Sequence, residues 1–333
     1  MAQTVNDAFN KFLKETVNLD AEQTKKARGS RDWLFGQIAS FQSDSTFPKS
    51  YPEHDIHYGS FARRTKKRPL DDIDLMICLS AQGAYYTEHS DKITITVNPE
   101  SNLKAFCNDF TNDLNSIKIV NKFIKKCEAV PQYSKADLKR NGAAAVLSLQ
   151  SYDWCFDIVP CFMTVQDIWG RTFYLIPDGY GNWRKTDPRI DRDRVKNINQ
   201  FHDGNVLNVI RIIKYWNKRA TMPSIPSYLL ETIILDYYAS RSDSDKVSQF
   251  VDLEISRILQ YIADNIHYQV LDPKGIQGNI NNLSWDDQTK ISNRASADKQ
   301  KADEARNFEN NADHKNSIQR WREIFGNDFP KYE

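Results

Sequence analysis

Apolar positions recur at helical spacing near the start of the chain: Phe9, Phe12 and Leu13, then Trp33, Leu34, Ile38 and Phe41. This pattern predicts one or two helices between Asp7 and about Phe41. The stretch "STFPKSYPEHD" interrupts it with two prolines. From Ile56 the period shortens to two, and "LDDIDLMICL" and "KITITV" read as strands rich in β-branched residues. A helix is expected from Leu103 to about Glu128. Beyond it, "AAAVLSLQ" and "WCFDIVPCF" read as paired strands around the turn Ser151-Tyr152-Asp153. After the Gly/Pro-rich crossing "PDGYGNWRKTDPR" the pattern turns helical and stays so. "VLNVIRIIKYWNKR", "SYLLETIILDYYAS" and "VSQFVDLEISRILQYIADNI" are three helix candidates. Asp272 to Asn282 is a Gly/Asn loop, and a polar last helix is expected from Ser292 to Phe325. The result is an α+β chain: a mixed lobe over residues 1–190, then a helical lobe over 191–333.

Composition narrows the class. The 333 residues are 40% apolar and 12% aromatic, enough for a packed core. Lys and Arg number 45 against 44 Asp and Glu, so the +1 net charge gives no global attraction to nucleic acid or membrane. The first residues, "MAQTVNDAFNKFLKE", lack the layout of a signal peptide, and no apolar run is long enough to span a bilayer. Five scattered cysteines form no CxxC pair, and Cys78, Cys155 and Cys161 in apolar runs read as buried thiols. His54 and His57 lack the second pair that a zinc site requires. A soluble, cytoplasmic protein is expected, with no membrane partner.

The chemistry concentrates in "HYGSFARRTKKRPLDDIDLMICL". Residues two apart on a strand share a face, so Asp72 and Asp74 point one way while Ile73, Leu75 and Ile77 face the core. Asp71 falls on the other face as a solvated neighbour. Adjacent carboxylates repel, which Mg²⁺ between them relieves, and in-line phosphoryl transfer at two metals needs such oxygen-rich ligation. A D-x-D at a sheet edge could equally be a surface feature. Gly59 and Ser60 shift the balance: glycine lets backbone approach a phosphate and serine adds a hydroxyl. The order G-S-x11-D-x-D within apolar surroundings is the pattern of polymerase-β-like nucleotidyltransferases. A third carboxylate fits "WCFDIVP", where Asp157 stands in an apolar run expected to end at Pro160. The basic run Arg63, Arg64, Lys66, Lys67, Arg68 reads either as a solvated face or as help in neutralising a triphosphate.

Several segments together resemble the bacterial cGAS/DncV-like nucleotidyltransferases, cyclic-oligonucleotide synthases related to cyclic GMP–AMP synthase and oligoadenylate synthetase. "GSFARRTKKRPLDDIDLMI" looks like the family's GS-to-DxD segment and "FDIVP" like its third-acid strand. "GNWRKTDP" resembles W-x-x-T-N-P, with Asp187 where Asn is more usual. "IIKYWNKR" and "PSYLLETIILDYY" resemble the helix pair whose Lys and Ser-Tyr hold the donor nucleotide. "LDPKGIQGN" and "WREIFGNDFP" look like the family's tail.

The resemblance implies a polymerase-β-like core against a helical lobe, with the active site in the cleft. Asp72, Asp74 and Asp157 are then catalytic acids and ligands of two Mg²⁺ ions, for which Mn²⁺ can substitute. Gly59, Ser60, Lys214, Ser227 and Tyr228 contact the nucleotide. From the residues alone, Lys214 reads as a snorkelling helix lysine, Ser227 as a helix N-cap, and Tyr228 as core or a base-stacking ring. NTPs, ATP among them, would be joined with pyrophosphate release into a cyclic di- or trinucleotide for anti-phage defence. A product-activated effector and accessory regulatory or conjugating proteins are the implied partners. The animal sensor's zinc insertion is missing from the sequence, so activation by double-stranded DNA is not expected. Two other readings use the same residues: a template-free transferase acting on RNA, protein or a small molecule, and an inactive nucleotide-binding protein.

Overall fold

The computed structural model describes residues 2–333. Among them are nine strands: β1 (Ile56–Tyr58), β2 (Asp72–Leu79), β3 (Tyr85–Glu88), β4 (Ile93–Thr96), β5 (Asp137–Asn141), β6 (Ala144–Ser148), β7 (Cys155–Met163), β8 (Tyr174–Pro177) and β9 (Trp183–Thr186). The helices are α1 (Val5–Phe12), α2 (Ala21–Ser40), α3 (Gly59–Ala62), α4 (Ser116–Glu128), α5 (Pro188–Phe201), α6 (Val206–Asn217), α7 (Ser227–Ala239), α8 (Asp252–Asn265), α9 (Trp285–Asn310) and α10 (His314–Phe325). No helix among the described residues is long and apolar enough to cross a membrane.

The chain divides into two compact units. A helical unit holds the chain up to Ala21, Arg63–Pro69 and Ile190–Glu333; a sheet unit holds Glu22–Ala62 and Leu70–Arg189. The last crossing between them falls at 189/190. The sequence division, however, put all of residues 1–190 in one lobe. The first helix and the segment 63–69 instead belong with the helices. Burial explains this for α1: its apolar stripe packs Phe9 and Phe12 edge-on to Trp321 and Phe329 at centroid distances of 4.9–5.0 Å. Aromatic edge contacts of this kind add to the burial of large apolar area.

In the sheet unit one sheet runs β1-β2-β7-β8-β9-β4-β3, with β6 also on β7 and β5 beyond it. β1 is antiparallel to β2, and β2 is parallel to β7 from Asp72↔Cys155 to Leu79↔Phe162. The expected β6–β7 hairpin forms, in register Ser148↔Cys155 to Ala145↔Ile158. Alternation of exposure holds only in the first halves of β2 and β7; from Leu75 to Leu79 and from Ile158 to Phe162 both faces are buried. The strands therefore begin with acids on one face and continue as apolar runs.

Several expected boundaries are corrected. Pro160 does not end its strand, which runs on to Met163. β6 leaves β7 at Ile158 and β8 joins at Phe162, so the residue without an N–H sits where one side of β7 is unpaired. The helix expected from Leu103 breaks after a short 3-10 turn at Asn102–Phe106. It restarts where the Asn115 side chain accepts from the N–H groups of Ile117 (2.9 Å) and Lys118 (3.3 Å). The last helix is two. α9 begins at Trp285 under a Ser284 cap, and α10 restarts under an Asp313 cap after Ala312 takes a positive φ of 59°. Cys155 is half-buried, unlike the buried Cys78 and Cys161.

Candidate active site

β2 carries Asp72 and Asp74 on one face, both half-buried, with Ile73 and Leu75 buried on the other. The parallel register sets Asp157 directly beside Asp74 and Cys155 beside Asp72. Adjacent strands lie about 4.8 Å apart, so the Asp74 and Asp157 side chains leave one surface as neighbours. The three aspartates expected to act together thus share a face at the start of two paired strands.

Ionisable neighbours register the negative field of this face. Burial, and after it Asp74 and Asp157, push the Tyr58 phenol well above its ordinary value. The Cys155 thiol is pushed up to about 11, by burial first, then by Asp157 and Asp72. Its sulfur lies 3.3 Å from the Asp71 carbonyl.

Gly59 ends the β1 approach to this face. Tyr58 is in register with Asp74, and Gly59 then turns the chain at φ +72° into α3, with Ser60 next. A Cβ at position 59 would fall 1.7 Å from Oδ2 of Asp74. Only glycine allows this backbone to lie against that carboxylate.

The donor set is carboxylate oxygen beside a protonated thiol, which suits a hard cation such as Mg²⁺. Among the described residues no group of three or more His, Cys, Asp and Glu forms a ready-made metal cage. Mg²⁺ seldom needs one, since it is usually held by one or two carboxylates, substrate phosphates and water. The residues present therefore fit such an ion.

The helical unit contains the other expected contacts. Lys214 is buried on α6, and its Nζ donates to Oε1 of Glu231 on α7 at 2.6 Å. Glu231 also accepts from Arg63 Nη2 (3.0 Å) and Thr65 Oγ1 (3.0 Å). Burial pushes the Glu231 carboxyl up, but Arg63 and Lys214 outweigh it and the net shift is down. Lys214 is thus part of a buried ionic cluster rather than a snorkelling surface lysine, with two cations facing one carboxylate.

Ser227 is not the cap expected of it. It is the first residue inside α7, and Pro226 holds the cap position without a side-chain bond. Tyr228 donates or shares its hydroxyl with Asp191 Oδ1 and Asp272 Oδ1, each at 2.8 Å, and with Lys274 Nζ. The Lys274 ammonium also lies 4.0 Å from its ring centroid. Asp272 further accepts from the backbone N–H groups of Lys274, Ile276 and Gln277, which fixes the start of the Gly/Asn loop.

Sequence reasoning missed Glu231 and the Asp191–Asp272–Lys274 group. Glu231 had a signal: an acid inside "SYLLETIILDYY" is as costly to bury alone as Asp157 is. Asp187, the departure from W-x-x-T-N-P, is accounted for locally. Its carboxylate pairs with Arg189 at 2.7 Å, and Arg189 also reaches the Thr172 carbonyl at 2.8 Å.

The fold is that of the polymerase-β-like nucleotidyltransferases. No family model matches the chain. It is 44% identical over 336 residues, the full length of both, to a Bacillus cereus (strain VD146) protein named "Probable cyclic nucleotide synthase". Two solved structures from E. coli MS115-1 share its fold over 98% of each chain at 17% identity: CdnC with ATP, TM-score 0.70, and a CdnC:HORMA-deltaN complex, TM-score 0.69. The chain belongs to the bacterial cGAS/DncV-like nucleotidyltransferases, the family of cyclic nucleotide synthases.

Proposed function

We propose that the Asp72/Asp74/Asp157 face is the catalytic centre, joining NTPs, ATP among them, into a cyclic di- or trinucleotide. The observation that carries this is the register of Asp74 with Asp157, with Asp72 on the same face. Bound there, Mg²⁺ (two ions, with Mn²⁺ able to substitute) would supply Lewis-acid polarisation of the donor α-phosphate and acidify the acceptor hydroxyl. Asp72 and Asp74 hold the donor side, and Asp157 the acceptor side. The acceptor ribose oxygen attacks the α-phosphorus in line, the bond from that phosphorus to the bridging oxygen breaks, and pyrophosphate leaves. A carboxylate oxygen of Asp157 takes the ribose proton. A second transfer closes the ring.

Gly59 lets the backbone pass close to Asp74 so that its turn can meet the nucleotide phosphates, and Ser60 offers a hydroxyl donor. Lys214, Ser227 and Tyr228 are the proposed contacts for the donor triphosphate and base. Lys214 then shares its ammonium between Glu231 and phosphate, a role helped by Arg63 as a second cation on Glu231. Tyr228 offers a ring already oriented through its hydroxyl. We further propose that the product activates an effector protein in anti-phage defence. An accessory protein regulates the enzyme, by analogy with the HORMA-containing complex of CdnC.

The test is synthesis by pure protein with four NTPs, each α-³²P-labelled in turn, in Mg²⁺. Phosphatase- and exonuclease-resistant label is the expected result and names the bases. Label found only in linear chains, or transferred to added RNA or protein, would refute the cyclic product.

A further inference from the structure

The end of the helical unit forms an open pocket of about 680 Å³ that the proposed chemistry does not use. Its wall is built from α10, the turn after it, and Arg219, just beyond α6. Arg219, Lys315, Arg322 and Lys331 line it, against the acid Glu323.

The two arginines are held mainly by carbonyl oxygens rather than by a directly bonded carboxylate. Arg219 Nη1 donates to the carbonyls of Glu323 (3.0 Å) and Ile324 at the end of α10. Arg322 donates to the carbonyls of Asn327 (3.3 Å) and Phe329, and to Asn327 Oδ1 (3.1 Å). Carbonyl oxygens satisfy N–H groups without cancelling a full charge. The acid on the wall is already engaged, because Arg320 holds Glu323 at 3.0 Å. Burial, and after it the neighbouring Arg294, push the Arg219 guanidinium below its ordinary value, against the opposing pull of Asp298 and Asp328. A chain balanced almost evenly in charge thus concentrates cations around one pocket. Its volume lies within the range, about 300–1,000 Å³, that takes a ligand of nucleotide size.

We propose that this pocket is a second ligand site, which binds the polyphosphate chain of a nucleotide-sized polyanion. Guanidinium forks and ammonium groups are the side chains that recognise phosphate. Tyr332 on the same wall offers a ring and a hydroxyl to a nucleoside.

The test is calorimetric titration of the full chain with inorganic tripolyphosphate and with ATP, both in EDTA. EDTA removes the metal-dependent part of binding at the aspartate face, and a variant altered only at the pocket separates whatever binding remains there. The variant is K315E/K331E, two exposed positions outside the catalytic machinery. Wild-type protein should bind one equivalent, more weakly as salt rises, and the variant should bind at least about tenfold more weakly (two charge contacts reversed, about 1.4 kcal/mol). Equal affinity for both probes makes the phosphate chain alone the ligand, and tighter ATP binding adds the nucleoside. No saturable binding, or equal affinity in variant and wild type, would overturn the site. Neither result bears on synthesis at Asp72 and Asp74.

Discussion

A methyl group at position 59 would meet Oδ2 of Asp74 at 1.7 Å and would sit on a backbone of φ +72°. Gly59→Ala should lower stability by about 1–2 kcal/mol through the left-handed conformation alone. It should cut synthesis further by displacing the Asp74 carboxylate from the proposed catalytic face. Unchanged activity with a lower melting temperature would separate Gly59 from the chemistry. Asp55 sets a pH dependence. Burial pushes its carboxyl up to about 6, opposed by the Cys78 N–H that it accepts at 2.6 Å. The folded protein therefore holds this proton more tightly than the unfolded chain does. Its stabilisation is full below about pH 4 and is lost as pH rises through about 6. Asp55→Asn should flatten that part of the melting-temperature profile, and an unaltered slope would contradict the assignment. Tyr228→Phe removes the hydroxyl bonded to Asp191, Asp272 and Lys274. Nucleotide KM should rise more than kcat falls, whereas a melting-temperature shift with no change in KM would leave the hydroxyl a purely structural role. The aspartates were legible because charge in an apolar run is conspicuous; their partners were not, because pairing links residues far apart in sequence.

At the scale of elements, alternation and period located most helices and the strands β2, β4, β6 and β7, but not the short β3, β5, β8 and β9, and other errors fell where local chemistry overrode periodicity. The breaks after Phe106 and Asn310 are made by capping side chains, Asn115 and Asp313, within stretches whose apolar spacing looks continuous. Pro160 misled for the opposite reason, since its tolerance depends on which neighbours β7 has at that point. The N-terminal helix was predicted, but not its place. Phe9 is buried against Trp321, Phe325 and Phe329. Phe9→Ala should destabilise by about 3–5 kcal/mol, read as a shift in the denaturant midpoint; a change below about 1 kcal/mol would mean that α1 adds little to the helical unit.

For the whole molecule, full-length likeness to a family could be read from a handful of segments, while the interleaving of units could not. The chain passes between units at 21/22, 62/63, 69/70 and 189/190, and only the last of these carries a compositional mark. The segment Arg63–Pro69, between the Gly59-Ser60 turn and the aspartate strand, belongs to the helical unit through Arg63 and Thr65 on Glu231. Its basic run read as a solvated face or a phosphate clamp because nothing in the sequence announces Glu231 as its partner. The central claim, that one carboxylate face performs the transfer, rests on Asp72, Asp74 and Asp157 meeting across β2 and β7. Its most direct test is the rate of labelled-NTP conversion by Asp72→Asn/Asp74→Asn beside wild type, with melting temperatures measured on both. The account predicts a folded variant whose synthesis falls by more than about 10²-fold. A folded variant that makes product at the wild-type rate would contradict it.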